Sequence, residues 1–103
     1  MGSQEYIDYV ANKIIDNINP LKVILFGSYA YGTPKSNSDI DFFILMESQE
    51  KPVKRRINVS KLFLDRDYPL DFIVYNPVEY QKKIEQNDSF IKEINKGKVL
   101  YER

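Results

Sequence analysis

The chain lacks histidine and cysteine altogether, and each absence excludes a class of chemistry. Without histidine there is no Ser-His-Asp or Cys-His catalytic site, and the commonest zinc and iron ligand is missing. Without cysteine there is no disulfide framework, no thiolate metal site and no thiol nucleophile, which fits a reducing compartment. A metal ion in this protein must therefore be bound by oxygen atoms, which favours a hard cation such as Mg²⁺ or Mn²⁺.

Net charge and long apolar runs are missing as well. The 15 basic and 15 acidic side chains cancel, so the whole chain has no basic surplus that would predict binding to DNA, RNA or an anionic membrane. No apolar run approaches the ~20 residues that cross a bilayer, and the polar N-terminus does not resemble a signal peptide. The 103 residues, 43% of them hydrophobic, predict a single globular domain over residues 1–103.

The chain does contain a succession of short periodic segments. Apolar residues at helical spacing predict helices, whereas short β-branched and aromatic runs between turn residues predict strands. The predicted helices span residues 4–19, 52–63, 78–84 and 89–95, and the predicted strands span 21–27, 39–46, 68–76 and 98–102. A helical turn and a loop are expected between 28 and 38. This order predicts an α/β (α+β) fold, with a small sheet packed by helices.

The helix predicted over 52–63 is expected to bury one apolar side. Its members are Val53, Ile57, Leu62 and Phe63. The basic run Lys54–Arg56 is then expected on the solvated side of the same helix.

Two aspartates open the second strand, in the run DIDFFILM. Asp39 and Asp41 are two residues apart, so their side chains lie on the same face of an extended strand. Neighbouring carboxylates repel each other and tend to hold protons, and a divalent cation between them reverses that balance. Asp39 alone fits equally well as a turn residue at the entrance to a strand. For Asp41, between two apolar neighbours, a metal ligand is the better interpretation.

A third acid, Asp71, interrupts the apolar run PLDFIVY. If the strand that contains it pairs beside the strand of Asp41, the three carboxylates can face one point. Such an oxygen site suits one or two magnesium ions, with coordination positions left for water and substrate phosphates.

Gly27 closes the first strand and Ser28 follows it, with ten residues between Ser28 and Asp39. A glycine there lets the backbone approach a ligand closely, and N–H groups at a helix start attract phosphate. Alone this pattern is common in proteins. Its value comes from the Asp-x-Asp strand that follows it.

Together, LFGSYAYGTPKSNSDIDFFIL and the later PLDFIVY resemble the minimal nucleotidyltransferases of the DNA polymerase β superfamily. The resemblance implies the polymerase β-like fold and Mg²⁺-dependent transfer of AMP from ATP, or of another nucleotide, to a hydroxyl group. It implies that Gly27 and Ser28 bind the triphosphate. It also implies that Asp39, Asp41 and Asp71 are catalytic metal ligands, with Asp71 helping to deprotonate the acceptor.

One position departs from the family pattern. The family commonly has Gly-Ser-x-Ala-Arg-Gly, and here Tyr31 stands at the arginine position. An arginine binds phosphate with two charged donors, whereas tyrosine offers one neutral donor. Lys35 or the basic run Lys54–Arg56 are the candidates to replace that charge.

The resemblance also predicts a partner. Larger members attach a helical acceptor-binding domain, for which this chain has no room, and stand-alone members often pair with a HEPN protein. The chain is therefore expected to be a cytoplasmic antitoxin that adenylylates a tyrosine of a HEPN toxin. The alternative is a non-catalytic module that neutralises this toxin by contact. Because both sheet faces are apolar and few helices cover them, an open apolar face is expected to bind a helical partner or a second copy of the chain.

Overall fold

A computed structural model describes residues 2–103 of the chain. Every predicted element is present, with boundaries that differ by a few residues at most. The helices are α1 (Ser3–Ile18), α2 (Ser28–Tyr31), α3 (Pro52–Ser60), α4 (Pro77–Glu85) and α5 (Ser89–Asn95); the strands are β1 (Lys22–Phe26), β2 (Ile40–Leu45), β3 (Leu70–Tyr75) and β4 (Lys98–Glu102). The predicted mixture of helices with a small sheet is confirmed.

The four strands form one mixed sheet in the order β3-β2-β1-β4. β1 is antiparallel to both of its neighbours, whereas β2 and β3 run parallel. A parallel pair needs a crossover connection, and α3 supplies it between β2 and β3. The acid-bearing strands are therefore adjacent, as the site predicted from the sequence requires.

Helices α1 and α3 cover one face of the sheet. Period-2 alternation sends Phe42 and Ile44 of β2 and Phe72 of β3 to this face, where they meet Val10 and Ile14 of α1. All five side chains are almost entirely buried. This cluster is the larger of the two apolar cores.

Helices α4 and α5 cover the opposite face, which is also the face of Asp41 and Asp71. Phe43 of β2 packs in a second core with Ile91 and Ile94 of α5, and all three are almost completely buried. The expectation of an open apolar sheet face is therefore wrong. Two short C-terminal helices suffice because α5 packs Ile91 and Ile94 on the small sheet and α4 adds Tyr80.

Helix α3 has the reverse of its predicted orientation. Val53 and Ile57, expected inside, are 60% and 43% exposed, while Arg55 and Val59 are buried. The prediction held for Phe63, which is buried beyond the end of the helix. The prediction failed for the helix itself because Arg55 is buried in an ion pair with Glu79.

Among residues 2–103, no helix has both the length and the apolar character needed to cross a bilayer.

Candidate active site

The two strand aspartates lie side by side. In the parallel register of β2 and β3, Asp41 is paired directly with Asp71, and adjacent strands are only about 4.8 Å apart. Each is the second residue of its strand, so both side chains leave the same face at the same end of the sheet. The prediction that β3 lies beside β2 is confirmed, and it puts two carboxylates next to each other.

Gly27 lies on the other side of Asp41. β1 ends at Phe26, whose pairing partner is Asp41, and Gly27 then turns the chain with a φ of +76°. A Cβ atom at this position would collide with the Asp41 carboxylate. Both the backbone angle and the close approach therefore require glycine. The absence of a side chain leaves the carboxylate room against the backbone.

The charged form of Asp41 is disfavoured by its surroundings. Burial and, after it, the Asp71 and Asp39 carboxylates raise its pKa from 3.8 to about 6. Within residues 2–103 no cationic side chain forms a salt bridge with any of the three acids, and none of them accepts a hydrogen bond. Burying unpaired carboxylates costs free energy, and a bound cation would lower that cost at this cluster.

Asp39 is less fixed than the other two acids. It precedes the first residue of β2 and its side chain is exposed. In the described part of the chain, no three Asp, Glu, His or Cys side chains are close enough to form a metal site as they stand. The donor set still fits a hard cation, because Asp41 and Asp71 are adjacent, unpaired carboxylates and Asp39 lies near enough to raise the pKa of Asp41.

Ser28 is the first residue of α2, directly after Gly27. The short helix is tied back to the strand end, since Ala30 and Tyr31 donate their backbone N–H groups to the Gly27 carbonyl at 3.0 and 3.3 Å. The Ser28 hydroxyl has no hydrogen-bond partner among residues 2–103. Gly27 thus lies against Asp41, and Ser28 follows it with a free hydroxyl donor.

Tyr31, at the position of the family's arginine, is turned toward α5. Its hydroxyl donates to the backbone carbonyl and to the Oε2 atom of Glu93, both at 3.3 Å. Glu93 also pairs with Lys96 at 3.2 Å. In this arrangement Tyr31 joins α2 to α5, and its hydroxyl is already engaged with an acid.

The basic run of α3 does not supply the missing charge to this site. Arg55 is buried on the opposite side of the sheet, where it forms a two-bond ion pair with Glu79 at 2.7 and 2.8 Å. Lys54 and Arg56 are exposed on the same helix. Lys35 lies in the exposed loop after α2, in a turn that Ser38 closes by accepting from the Lys35 backbone N–H at 2.8 Å. Of the two candidates, only Lys35 lies in the segment that leads from Ser28 to Asp39.

Sequence reasoning missed two contacts between side chains. The pair of Tyr31 with Glu93 and the pair of Arg55 with Glu79 join residues far apart in the chain, 62 and 24 positions respectively. No local spacing pattern signals either. Arg55 can be charged and buried at the same time because Glu79 pairs with it.

Comparison with known proteins shows the family of this chain. The family model described as "Polymerase beta, Nucleotidyltransferase" matches residues 9–103. A curated protein of Methanocaldococcus jannaschii, "Putative protein adenylyltransferase MJ1305", is 31% identical over 96% of this chain and 69% of its own length.

Solved structures with the same fold include two toxin–antitoxin crystal structures. One contains AMP-PNP and matches with a TM-score of 0.61 and 27% identity; the other is a mutant of MntA-HpeT, with a TM-score of 0.60 and 25% identity. Each match covers 93% of this chain and 73% of the matched chain. A nucleotidyltransferase structure from Sulfolobus solfataricus, 22% identical over 94% of this chain and 86% of its own with a TM-score of 0.62, shares the fold. This chain belongs to the polymerase β nucleotidyltransferase family.

Proposed function

We propose that this chain is a single-domain, Mg²⁺-dependent adenylyltransferase that modifies a hydroxyl group of a partner protein and so acts as an antitoxin. The observation that carries the proposal is the pair of adjacent, unneutralised carboxylates, Asp41 and Asp71, against the side-chain-free surface of Gly27. Phosphoryl transfer needs positioning and charge neutralisation more than covalent chemistry, and this constellation offers both.

Each residue has a distinct role in the proposed reaction. The backbone at Gly27 and the free hydroxyl of Ser28 bind and orient the triphosphate. Asp39, Asp41 and Asp71 would hold Mg²⁺, or Mn²⁺ in its place. A divalent cation bound there would supply positive charge that offsets the negative charge of the phosphates.

The bond changes balance without a further reactant. The acceptor oxygen forms a bond to the α-phosphorus of ATP while the bond from that phosphorus to the bridging oxygen of pyrophosphate breaks. Asp71 accepts the acceptor's proton, since it is the carboxylate nearest the open edge beyond β3. AMP stays on the acceptor and pyrophosphate leaves.

The acceptor is proposed to be a tyrosine of a HEPN toxin. Support comes from the relatives: one is named a protein adenylyltransferase, and two solved structures with this fold are toxin–antitoxin complexes, one of them with AMP-PNP. Because AMP-PNP is an analogue with the adenosine and the α-phosphate of ATP, its presence in a structure with this fold supports ATP as the donor.

A second candidate function is a non-catalytic module that neutralises the toxin by contact. One observation favours it: Tyr31 replaces the arginine expected beside the phosphates, and its hydroxyl is engaged by Glu93. A site without that cation stabilises developing phosphate charge less well.

Transfer of radiolabel separates the two functions. The chain is incubated with Mg²⁺, ATP labelled at the α-phosphate and the HEPN-like protein encoded beside it, and labelled AMP is expected on that protein. Asp71→Asn should reduce labelling by at least ~10³-fold, since the site would lose a metal ligand and the proton acceptor. Asp16→Asn, an exposed acid on α1, is the matched control and should label normally.

Binding of the partner is measured on the same samples, by calorimetry. An intact complex with Asp71→Asn, together with lost labelling, supports the enzyme. If the wild-type chain transfers no label yet neutralises the partner as well as Asp71→Asn does, the contact module replaces the enzyme.

A further inference from the structure

The outer side of α3 exposes an apolar strip that the fold does not use. Val53 and Ile57 are one helical turn apart and are 60% and 43% exposed, and Leu64, just after the helix, is 86% exposed. The inward side of the same helix consists of Val59 and Arg55, both buried. An apolar strip that remains in solvent is expected to meet another surface.

Two clefts flank this strip and share one residue, Arg56. A cleft of about 170 Å³ lies between Pro52, Val53 and the outer edge of β3. A cleft of about 360 Å³ is lined by Ile57, Ser60 and Leu64 and ends at Arg66. Clefts on both sides of an exposed apolar ridge offer the grooves that a partner helix fills with side chains spaced three and four residues apart.

The charges around the strip are mainly positive. Lys54, Arg56 and Lys61 are exposed, and none of them forms a salt bridge within residues 2–103. Two acids lie nearby: Asp65 lines an adjoining cleft with Lys61, and the Glu50 carboxylate accepts from Asn58 of α3 at 3.3 Å. A surface with apolar residues in its centre and unpaired cations at its rim is complementary to an amphipathic segment that carries acids.

A second copy of this chain does not fit that description. A two-fold interface would bring the strip onto itself, and Arg56 and Lys61 would then face the same cations of the other copy. Nucleic acid does not fit either, because phosphates would pair with the cations but leave Val53, Ile57 and Leu64 without apolar contacts.

We propose that the α3 strip (Val53, Ile57 and Leu64 with Arg56 and Lys61) is a docking surface for an acidic amphipathic helix of a partner protein. α3 covers the face of the sheet opposite to Asp41 and Asp71. A partner held there leaves the acid pair uncovered, so attachment and chemistry use different sides of the molecule. The choice of probe, though not the surface itself, rests on the proposed function.

Calorimetric titration with the protein encoded beside this chain tests the surface. Ile57→Glu and Leu64→Glu are expected to weaken binding at least tenfold, since each introduces an acid into an apolar contact that faces acids. Lys61→Glu is expected to weaken binding strongly at low salt and less at high salt, because the attraction it removes is screened. Circular dichroism verifies that each variant is folded.

The matched control is Val78→Glu on α4, a valine that is 73% exposed and lies outside the strip. It should bind as the wild type does. Binding of ATP with Mg²⁺ should be unchanged in all α3 variants, so a failed docking surface is distinguishable from a failed active site.

Four results would overturn the proposal. The first two are that the wild-type chain does not bind the probe, and that Val78→Glu weakens binding as much as the α3 variants do. The third is that the wild-type chain self-associates and Leu64→Glu abolishes the association. The fourth is that the wild-type chain retains an RNA that Lys61→Glu releases. The last two would assign the strip to a second copy or to nucleic acid.

Discussion

Two charged clusters, one that joins α3 to α4 and one at the start of β2 and β3, show how a charge that stabilises the fold differs from a charge suited to function. Arg55 is 2% exposed, yet its donors are satisfied: two go to Glu79, one to the carbonyl of Glu50 at 3.0 Å and one to that of Val74 at 3.3 Å. Asp41 is less deeply buried and has no such partner, only other acids beside it.

The pKa values of the two clusters differ in the same way. The hydrogen bonds from Arg55 hold the pKa of Glu79 below its usual value, whereas burial and neighbouring acids raise that of Asp41. Glu79 also accepts from the backbone N–H of Asn76 at 2.9 Å and so closes the capping box of α4. A cluster whose charges are paired and hydrogen-bonded stabilises the fold, whereas a cluster of unpaired like charges is suited to bind a ligand of opposite charge.

The largest expected effect is at the satisfied cluster. Arg55→Ala should lower the free energy of unfolding by about 3–5 kcal/mol, because it removes one partner of a buried ion pair and empties the space under α3. Urea denaturation followed by circular dichroism measures this loss. Arg56→Ala, the exposed neighbour, is the control and should stay within about 0.5 kcal/mol of the wild type. A similar loss in both variants would mean that the loss does not come from the ion pair of Arg55 with Glu79.

Mg²⁺ with ATP should act on the other cluster. At a ligand concentration about 100 times Kd, the wild-type chain should gain about 2.7 kcal/mol against unfolding. Asp41→Asn should lose most of this gain, and a chelator should abolish it in the wild type. Thermal denaturation with and without the ligands measures the effect. A shift that survives the chelator, or that Asp41→Asn retains in full, would remove the metal site.

Without ligand, the same substitution should stabilise the protein. The pKa of Asp41 is raised in the folded state. Its contribution to the free energy of unfolding is therefore fully present below pH 3.8 and is lost as the pH rises through about 6. Asp41→Asn imitates the protonated acid, and at pH 7.5 it should gain on the order of 1 kcal/mol, a value reduced for solvent screening.

The pH series supplies the check on this sign. The difference in Tm between Asp41→Asn and the wild type should shrink toward zero as the pH is lowered to the ordinary range of an aspartate. Asp16→Asn should show no comparable gain at any pH. If Asp41→Asn is less stable than the wild type at neutral pH, the carboxylate has a partner and the contrast with Arg55 fails.

The sequence was enough to predict the acid pair, for a reason that lies in strand geometry. Asp41 and Asp71 each interrupt an apolar strand near its start, and the crossover through α3 makes the two strands parallel neighbours. Once both strands begin at the same end of the sheet, residues at equal positions meet. Local pattern and topology therefore agree at this site.

The orientation of α3 was not predictable in the same way. Its apolar residues Val53 and Ile57 indicate an inward face, but burying Arg55 becomes favourable only when Glu79 of α4 is in place, 24 residues further along the chain. Periodicity reports which side of a helix is apolar and cannot report a distant ion pair. Tyr31 is a similar case, since Glu93, which fixes its direction, lies 62 residues away.

The smallest expected effect concerns that contact. Tyr31→Arg, which introduces the family's residue, should change the rate of AMP transfer less than about threefold, because Glu93 is placed to pair with the new guanidinium before phosphate can. In a Glu93→Gln background the same substitution should speed transfer by about fivefold, or about 1 kcal/mol in the barrier. Initial rates of labelling measure both, with Tyr31→Phe as the control for loss of the hydroxyl. If Tyr31→Arg gives its full gain with Glu93 present, then Glu93 does not hold the position away from the phosphates, and Tyr31 alone limits the site.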